Sequence, residues 1–172
     1  MRIFKVLFLT MVALGLHANA QTVVVDGGTT SVLLDTDTLS TAASLDLSSV
    51  SGDVIAPGAL GDDSVAFQIV TPSEFSYTPG EDFLSTFTGT VEHEGSVFFN
   101  SDSVEVGDFT IGFDGARAGD DRTGFFVEST TGIEAILFDI ADINPFDPAP
   151  RLLTIGGDLL VSSEFGTFLF DN

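Results

Sequence analysis

The side chains best suited to chemistry in this chain are oxygen donors set in three loops. Asp62 and Asp63 are adjacent, Asp114, Asp120 and Asp121 fall within DGARAGDDR, and Asp142, Asn144 and Asp147 fall within ADINPFD. Carboxylates and loop carbonyls are the ligands of calcium, which takes six to eight of them and ties loops together in exported proteins. The sequence requires no cofactor and admits calcium, with Asp114, Asp120 and Asp121 as one candidate ligand set and Asp142, Asn144 and Asp147 as the other. Gly115 and Gly119 give the first loop the freedom to turn its carbonyls inward. Neither set has the EF-hand spacing of alternating ligands followed by a glycine and a distal glutamate. Arg117 and Arg122 offer the competing outcome, in which they pair with these aspartates in place of an ion.

Glu92-His93-Glu94 invites a transition-metal reading, because imidazole and carboxylate both bind zinc and iron. On a strand, successive side chains point to opposite faces, so the two glutamates share one face and His93 takes the other. The three cannot converge on one ion, and the stretch is expected to be a solvated hairpin end whose charges blunt a sheet edge. No G-x-S-x-G elbow or S-x-x-K pair is present, and the chain has no cysteine to act as nucleophile or zinc ligand. A haem reading through Tyr77 or His93 is weaker than the plain one, in which SYTPG is a strand entering a Pro-Gly turn. The catalytic alternative is a secreted hydrolase with paired carboxylates acting on a polysaccharide, since such acids stand about 5–10 Å apart and leave no local motif. The absence of tryptophan removes the usual sugar platform.

These side chains need a body to hold them, and its first twenty residues, MRIFKVLFLTMVALGLHANA, do not read as part of it. Arg2 and Lys5 precede an apolar run from Val6 to Leu16 and then Ala18-Asn19-Ala20, the order of a secretory signal peptide with cleavage after Ala20. A membrane-spanning helix needs roughly twenty apolar residues, and this run is about half as long. Cleavage takes two of the 5 basic residues and none of the 26 acids, so the net charge moves from −21 to −23, with no lysine left. Such a field excludes nucleic acid and anionic membrane surfaces as partners, because binding phosphate needs clustered Lys and Arg. It suits a protein released into salty water, where screening relieves self-repulsion.

Residues 21–172 have the length of a single domain. Short β-rich runs such as TVVVD, TSVLLDT, SVAFQIV, FSYT, GSVFFN, FTIGF and EAILFDI alternate with Gly, Asp, Ser and Pro. That spacing predicts an all-β fold, an antiparallel β-sandwich or jelly-roll-like domain. Phe109, Ile111 and Phe113 share one strand face and are predicted to enter the core. STAASLDLSSV is read as strand from the alternation of Leu45 and Leu47. NPFDPAP, dense in proline, is an extended loop. Near the end, Ser162 or Ser163 caps one short C-terminal helix, with Phe165, Phe168 and Leu169 on one side.

FTGTVEHEGSVFFN, VEVGDFTIGFDGARAG, TGFFVESTTGIEAILFDI and LTIGGDLLVSSEFGTFL together resemble exported bacterial proteins that often end in a PEP-type sorting tail handled by exosortase systems. The resemblance spans most of residues 21–172 and rests on strand-and-turn phrases. It implies an envelope, biofilm or extracellular-matrix protein and carries over no functional residue. FLFDN departs from the pattern, with no Pro-Glu-Pro motif, apolar terminal helix or basic end. The expectation is a protein that is released, held through a partner, or sorted by a segment outside this chain. The expected molecule is not an enzyme: it is a secreted β-domain with a structural, adhesive or matrix role, facing an extracellular-matrix or cell-surface component, with loops that admit calcium without requiring it.

Overall fold

A computed structural model describes residues 2–13, 21–79, 81–144 and 152–171. Eleven strands run as β1 (Arg2–Ala13), β2 (Val23–Leu33), β3 (Leu47–Val50), β4 (Ser64–Ile69), β5 (Ser76–Tyr77), β6 (Val91–Glu94), β7 (Ser96–Phe99), β8 (Val104–Phe113), β9 (Arg122–Gly132), β10 (Ala135–Asn144) and β11 (Leu152–Val161). Three α-helices, α1 (Thr36–Ala43), α2 (Phe83–Thr86) and α3 (Ser163–Asp171), and a 3-10 turn at Gly115–Arg117 join or flank them. The fold is all-β and antiparallel with one short C-terminal helix, as the turn spacing predicts.

The pairing closes on itself. β9 pairs with both β10 and β8, which completes a ring in the order β1-β2-β4-β6-β8-β9-β10-β11 and back to β1. Opposite arcs of the ring face each other across one apolar interior, in the manner of a sandwich. β7 extends past β6 along β8 and carries β3 on its far side, and β5 adds two residues beside β2. Closure leaves few open edges, which is how an antiparallel sheet avoids pairing with foreign strands.

Alternation explains the burial. On β6, Val91 and His93 are buried while Glu92 and Glu94 are exposed, and on β8 Phe109 and Ile111 turn inward. Phe109 packs edge-on against Phe67 of β4, ring centroids 4.8 Å apart. Phe113 has the predicted parity but is 43% exposed. It lies at the end of β8, past the interior, and meets Phe87 and Phe125 in a rim of aromatic rings. Between β6 and β7 the chain turns through Gly95 at φ 115°, where a Cβ would stand 2.7 Å from Val54 Cγ2. Only glycine fits there on both counts.

Two expectations change. STAASLDLSSV begins inside α1 and becomes strand only at Leu47. The helix forms because Asp35 accepts from the Thr38 N–H at 3.0 Å and Ser44 closes the other end in the left-handed region at φ 54°. This capping outweighs the alternation of Leu45 and Leu47. TVVVD and TSVLLDT, two runs in the sequence, form the single strand β2 through Gly27-Gly28. At the C-terminus Ser162 is the cap, its hydroxyl accepting from the Phe165 N–H at 2.9 Å. NPFDPAP lies outside the described residues from residue 145 onward.

β1 comprises residues that the sequence assigns to an export leader. It lies between β2 and β11, with Leu7 opposite Val32 and Gly157, Leu9 opposite Thr30 and Ile155, and Met11 opposite Gly28 and Leu153.

Candidate functional site

The ring encloses a chamber of about 70 Å³. Its described walls include Thr30 and Val32 on β2, Phe67 on β4, Phe109 and Ile111 on β8, Val127 on β9, Leu137 on β10 and Leu159 on β11. Leu39 of α1 and Phe165 of α3 close it further. The surface is almost wholly apolar, and the volume is about half that of an engineered cavity known to admit benzene.

One polar pair sits in this wall. His93 is 3% exposed, which overturns its expected place at a solvated hairpin end. The strand alternation holds, but the face away from the glutamates is the inside of the ring. His93 Nδ1 lies 2.9 Å from the Phe109 carbonyl oxygen, and Nε2 lies 2.6 Å from Thr30 Oγ1. A carbonyl only accepts, so Nδ1 carries the proton, and the Thr30 hydroxyl donates to Nε2. The two bonds tie β6 to β8 on one side and reach past β4 to β2 on the other. Burial lowers the His93 pKa to about 4, with the hydrogen bond to Phe109 opposing the shift. The ring is therefore neutral at physiological pH, with neither nitrogen free to take up another partner.

A second cluster joins α3 to the ring. Arg117 donates from Nε to Asp139 at 2.7 Å and from Nη1 to Glu164 at 2.6 Å, while Arg122 stands 3.8 Å from both Asp139 and Asp120. Asp139 is 1% exposed. The Arg117 hydrogen bond holds Glu164 down at about 2, so this carboxylate is ionised and spoken for. The guanidinium also lies over the Phe126 ring, 5.9 Å from its centroid. A buried ion pair of this kind holds geometry, because losing one partner would strand the other charge.

The candidate calcium residues are placed as follows. Asp114 caps the 3-10 turn, its Oδ1 accepting from the Ala116 N–H at 2.8 Å. The Asp120 side chain is 97% exposed, and Asp121 is also exposed. Arg117 leaves its own loop to reach Asp139 and Glu164, so the arginines do not pair with the loop in the expected way apart from the long Arg122–Asp120 contact. Asp142 is exposed in the left-handed region at φ 48°, and Asn144 pairs through its backbone with Gly156. Asp147 lies outside the described residues. Among the described residues no three His, Asp or Glu side chains gather into a metal-binding group.

Tyr77, at the rim, has the one buried side-chain polar atom among the described residues that lacks a hydrogen-bond partner. Its ring packs beside Phe83, with centroids 6.2 Å apart, and burial raises its pKa. Sequence reasoning missed Thr30 and Asp139, since strand register brings Thr30 to His93, the fold brings Arg117 of the 3-10 turn to Asp139 from 22 residues away, and neither has a local signal. No protein-family model, no curated protein and no solved structure matches the chain.

Proposed function

We propose that this chain is an exported bacterial β-domain that acts without turnover, as a structural or adhesive part of the cell envelope or extracellular matrix. The observation that carries the reading is that the buried imidazole and the buried carboxylate among the described residues, His93 and Asp139, are committed to protein partners. A general base needs a free lone pair aimed at substrate, and His93 Nε2 already accepts from Thr30. The paired-carboxylate alternative asks for an acid with a raised pKa, whereas Glu164 beside Asp139 is lowered.

The outer surface supports the same reading. Gln68, Glu92, Glu94 and Asp108 are exposed while the interior is apolar. That is the reverse of a membrane-spanning barrel, whose apolar band faces outward. Among the described residues no helix is long and apolar enough to cross a membrane. The resemblance to exported sorting-tail proteins points to the same compartment.

The test is fractionation of a producing culture with an antibody against residues 21–172. Recovery from the matrix or cell surface is expected, together with failure of the purified protein to release reducing ends from matrix polysaccharide. Recovery from the cytosol would overturn the location. Sugar release abolished by substituting paired acids would overturn the absence of turnover.

A further inference from the structure

We propose that the space between β2 and β11, vacated when residues 1–20 are removed, is a strand-accepting groove for an extended, cationic, alternately apolar segment of another exported polypeptide. The inference rests on the leader reading, which supplies the vacancy. In the described structure β1 is what joins β2 to β11: it pairs with β2 from Leu7 to Ala13 and with β11 from Arg2 to Val12. Without it, two long strands each lose a neighbour, and a row of backbone N–H and C=O groups opens on both.

The geometry defines the occupant. β2 and β11 both run antiparallel to β1, so they are parallel to each other. At about 4.8 Å per neighbour they stand roughly 9.6 Å apart, too far for direct pairing and one strand wide. Each is held in place on its other side, β2 by β4 and β11 by β10. Thr30, Val32 and Leu159, which line the chamber, stand on the two flanking strands. Closing the chamber requires apolar residues at the alternate positions opposite Thr30 and Val32, which positions 9 and 7 occupy in β1. Gly156 and Gly157 of β11 stand opposite positions 8 and 7.

Charge selects among occupants. The exported form carries −23 and has no lysine, whereas the strand that fills the groove here, RIFKVLFLTMVA, has two cations and no acid. A second copy would bring the same negative field to the groove, and a cationic strand is drawn to it.

His93 is a built-in reporter. It is the only histidine left after residue 20, the only titratable residue among the described residues that line the chamber, and its partner Thr30 lies on β2 at the groove. The experiment follows His93 by NMR in exported protein beginning at Gln21, with and without a synthetic peptide of residues 2–13. Without peptide, water enters the chamber and His93 is expected to titrate near the ordinary value of about 6.5. Bound peptide is expected to bring it down towards about 4. The same peptide with aspartate at positions 7, 9 and 11 is expected to do nothing. If the exported protein is unfolded alone, recovery of its β signal on adding the first peptide supports the groove, and no recovery overturns it.

Titration near 4 in a peptide-free monomer would overturn the proposal, since the chain would then close the gap itself. A dimer whose dissociation releases His93 would also overturn it, in favour of a second copy. Mass spectrometry separates these failures from that of the leader reading: exported protein still carrying residues 2–13 removes the leader, whereas protein that starts at Gln21 and ignores the peptide removes the groove alone.

Discussion

Lowering the pH from 7 to 4.5 is expected to destabilise the full, uncleaved chain by roughly 2 kcal/mol through His93 alone. In the folded protein His93 has a pKa of about 4 because burial penalises the imidazolium. In the unfolded chain it returns to about 6.5. Between these values the unfolded state binds a proton that the folded state refuses, so falling pH favours unfolding. The stabilisation is complete above about pH 6.5 and is lost as pH falls towards 4, reaching about 3 kcal/mol at that limit because each unit is worth 1.36 kcal/mol. Glu164 does not share this window, since its own loss runs from its ordinary 4.5 down to about 2. The assay is urea unfolding of wild type and His93→Gln at a series of pH values from 7 to 4.5. A glutamine can donate to the Phe109 carbonyl and accept from Thr30 without titrating. The other carboxylates and His17 are common to both proteins and cancel in the difference. Whatever stability gap separates the two proteins at pH 7 should shift by roughly 2 kcal/mol in favour of the variant at pH 4.5. Parallel curves would refute the buried, neutral His93.

Other perturbations test the remaining contacts. Arg117→Met leaves Asp139 buried with only the 3.8 Å Arg122 contact, and chemical denaturation should show a loss of about 3–5 kcal/mol. Glu164→Gln, on the exposed side of the same arginine, should cost about 0–1 kcal/mol, and equal losses would mean that Asp139 is not the buried partner. Phe109→Ala should cost about 3–5 kcal/mol, while Phe113→Ala, at the exposed rim, should cost no more than about 2 kcal/mol. Melting midpoints in millimolar calcium and in chelator are expected to coincide, because Asp114, Asp120 and Asp121 do not gather. A calcium-dependent rise that Asp120→Asn abolishes would restore the first loop as a binding site.

The fold class was legible because its signals are local. A half-buried strand writes its period into neighbouring residues, and Gly, Asp, Ser and Pro mark the turns between strands. The cap at Ser162 was equally local. The helix α1 has a local cap signal in Asp35 before Thr36-Asp37-Thr38, but the alternation of Leu45 and Leu47 just beyond it points to strand and masks the helix. Ring closure was not legible at all. It depends on β8 pairing with β9 and on β1 reaching β11, and nothing within a ten-residue window states which strands will meet.

The strand period puts Glu92 and Glu94 on one face and His93 on the other, and the company of two charges does not make His93 exposed. Two glutamates spaced by two mark their own face as the wet one, and the residue between them points to the side that this antiparallel fold keeps dry. A histidine there must arrive neutral with partners for both nitrogens. Those partners, the Phe109 carbonyl and Thr30, come from strands 16 and 63 residues away and are set by register. The same reasoning separates the two arginines. Arg117 sits in a loop rich in aspartate, yet its best partners are Asp139 and Glu164, 22 and 47 residues further on. Sequence proximity offered it exposed carboxylates, and the fold brought it a buried one, whose uncompensated charge would have been far more costly to leave alone.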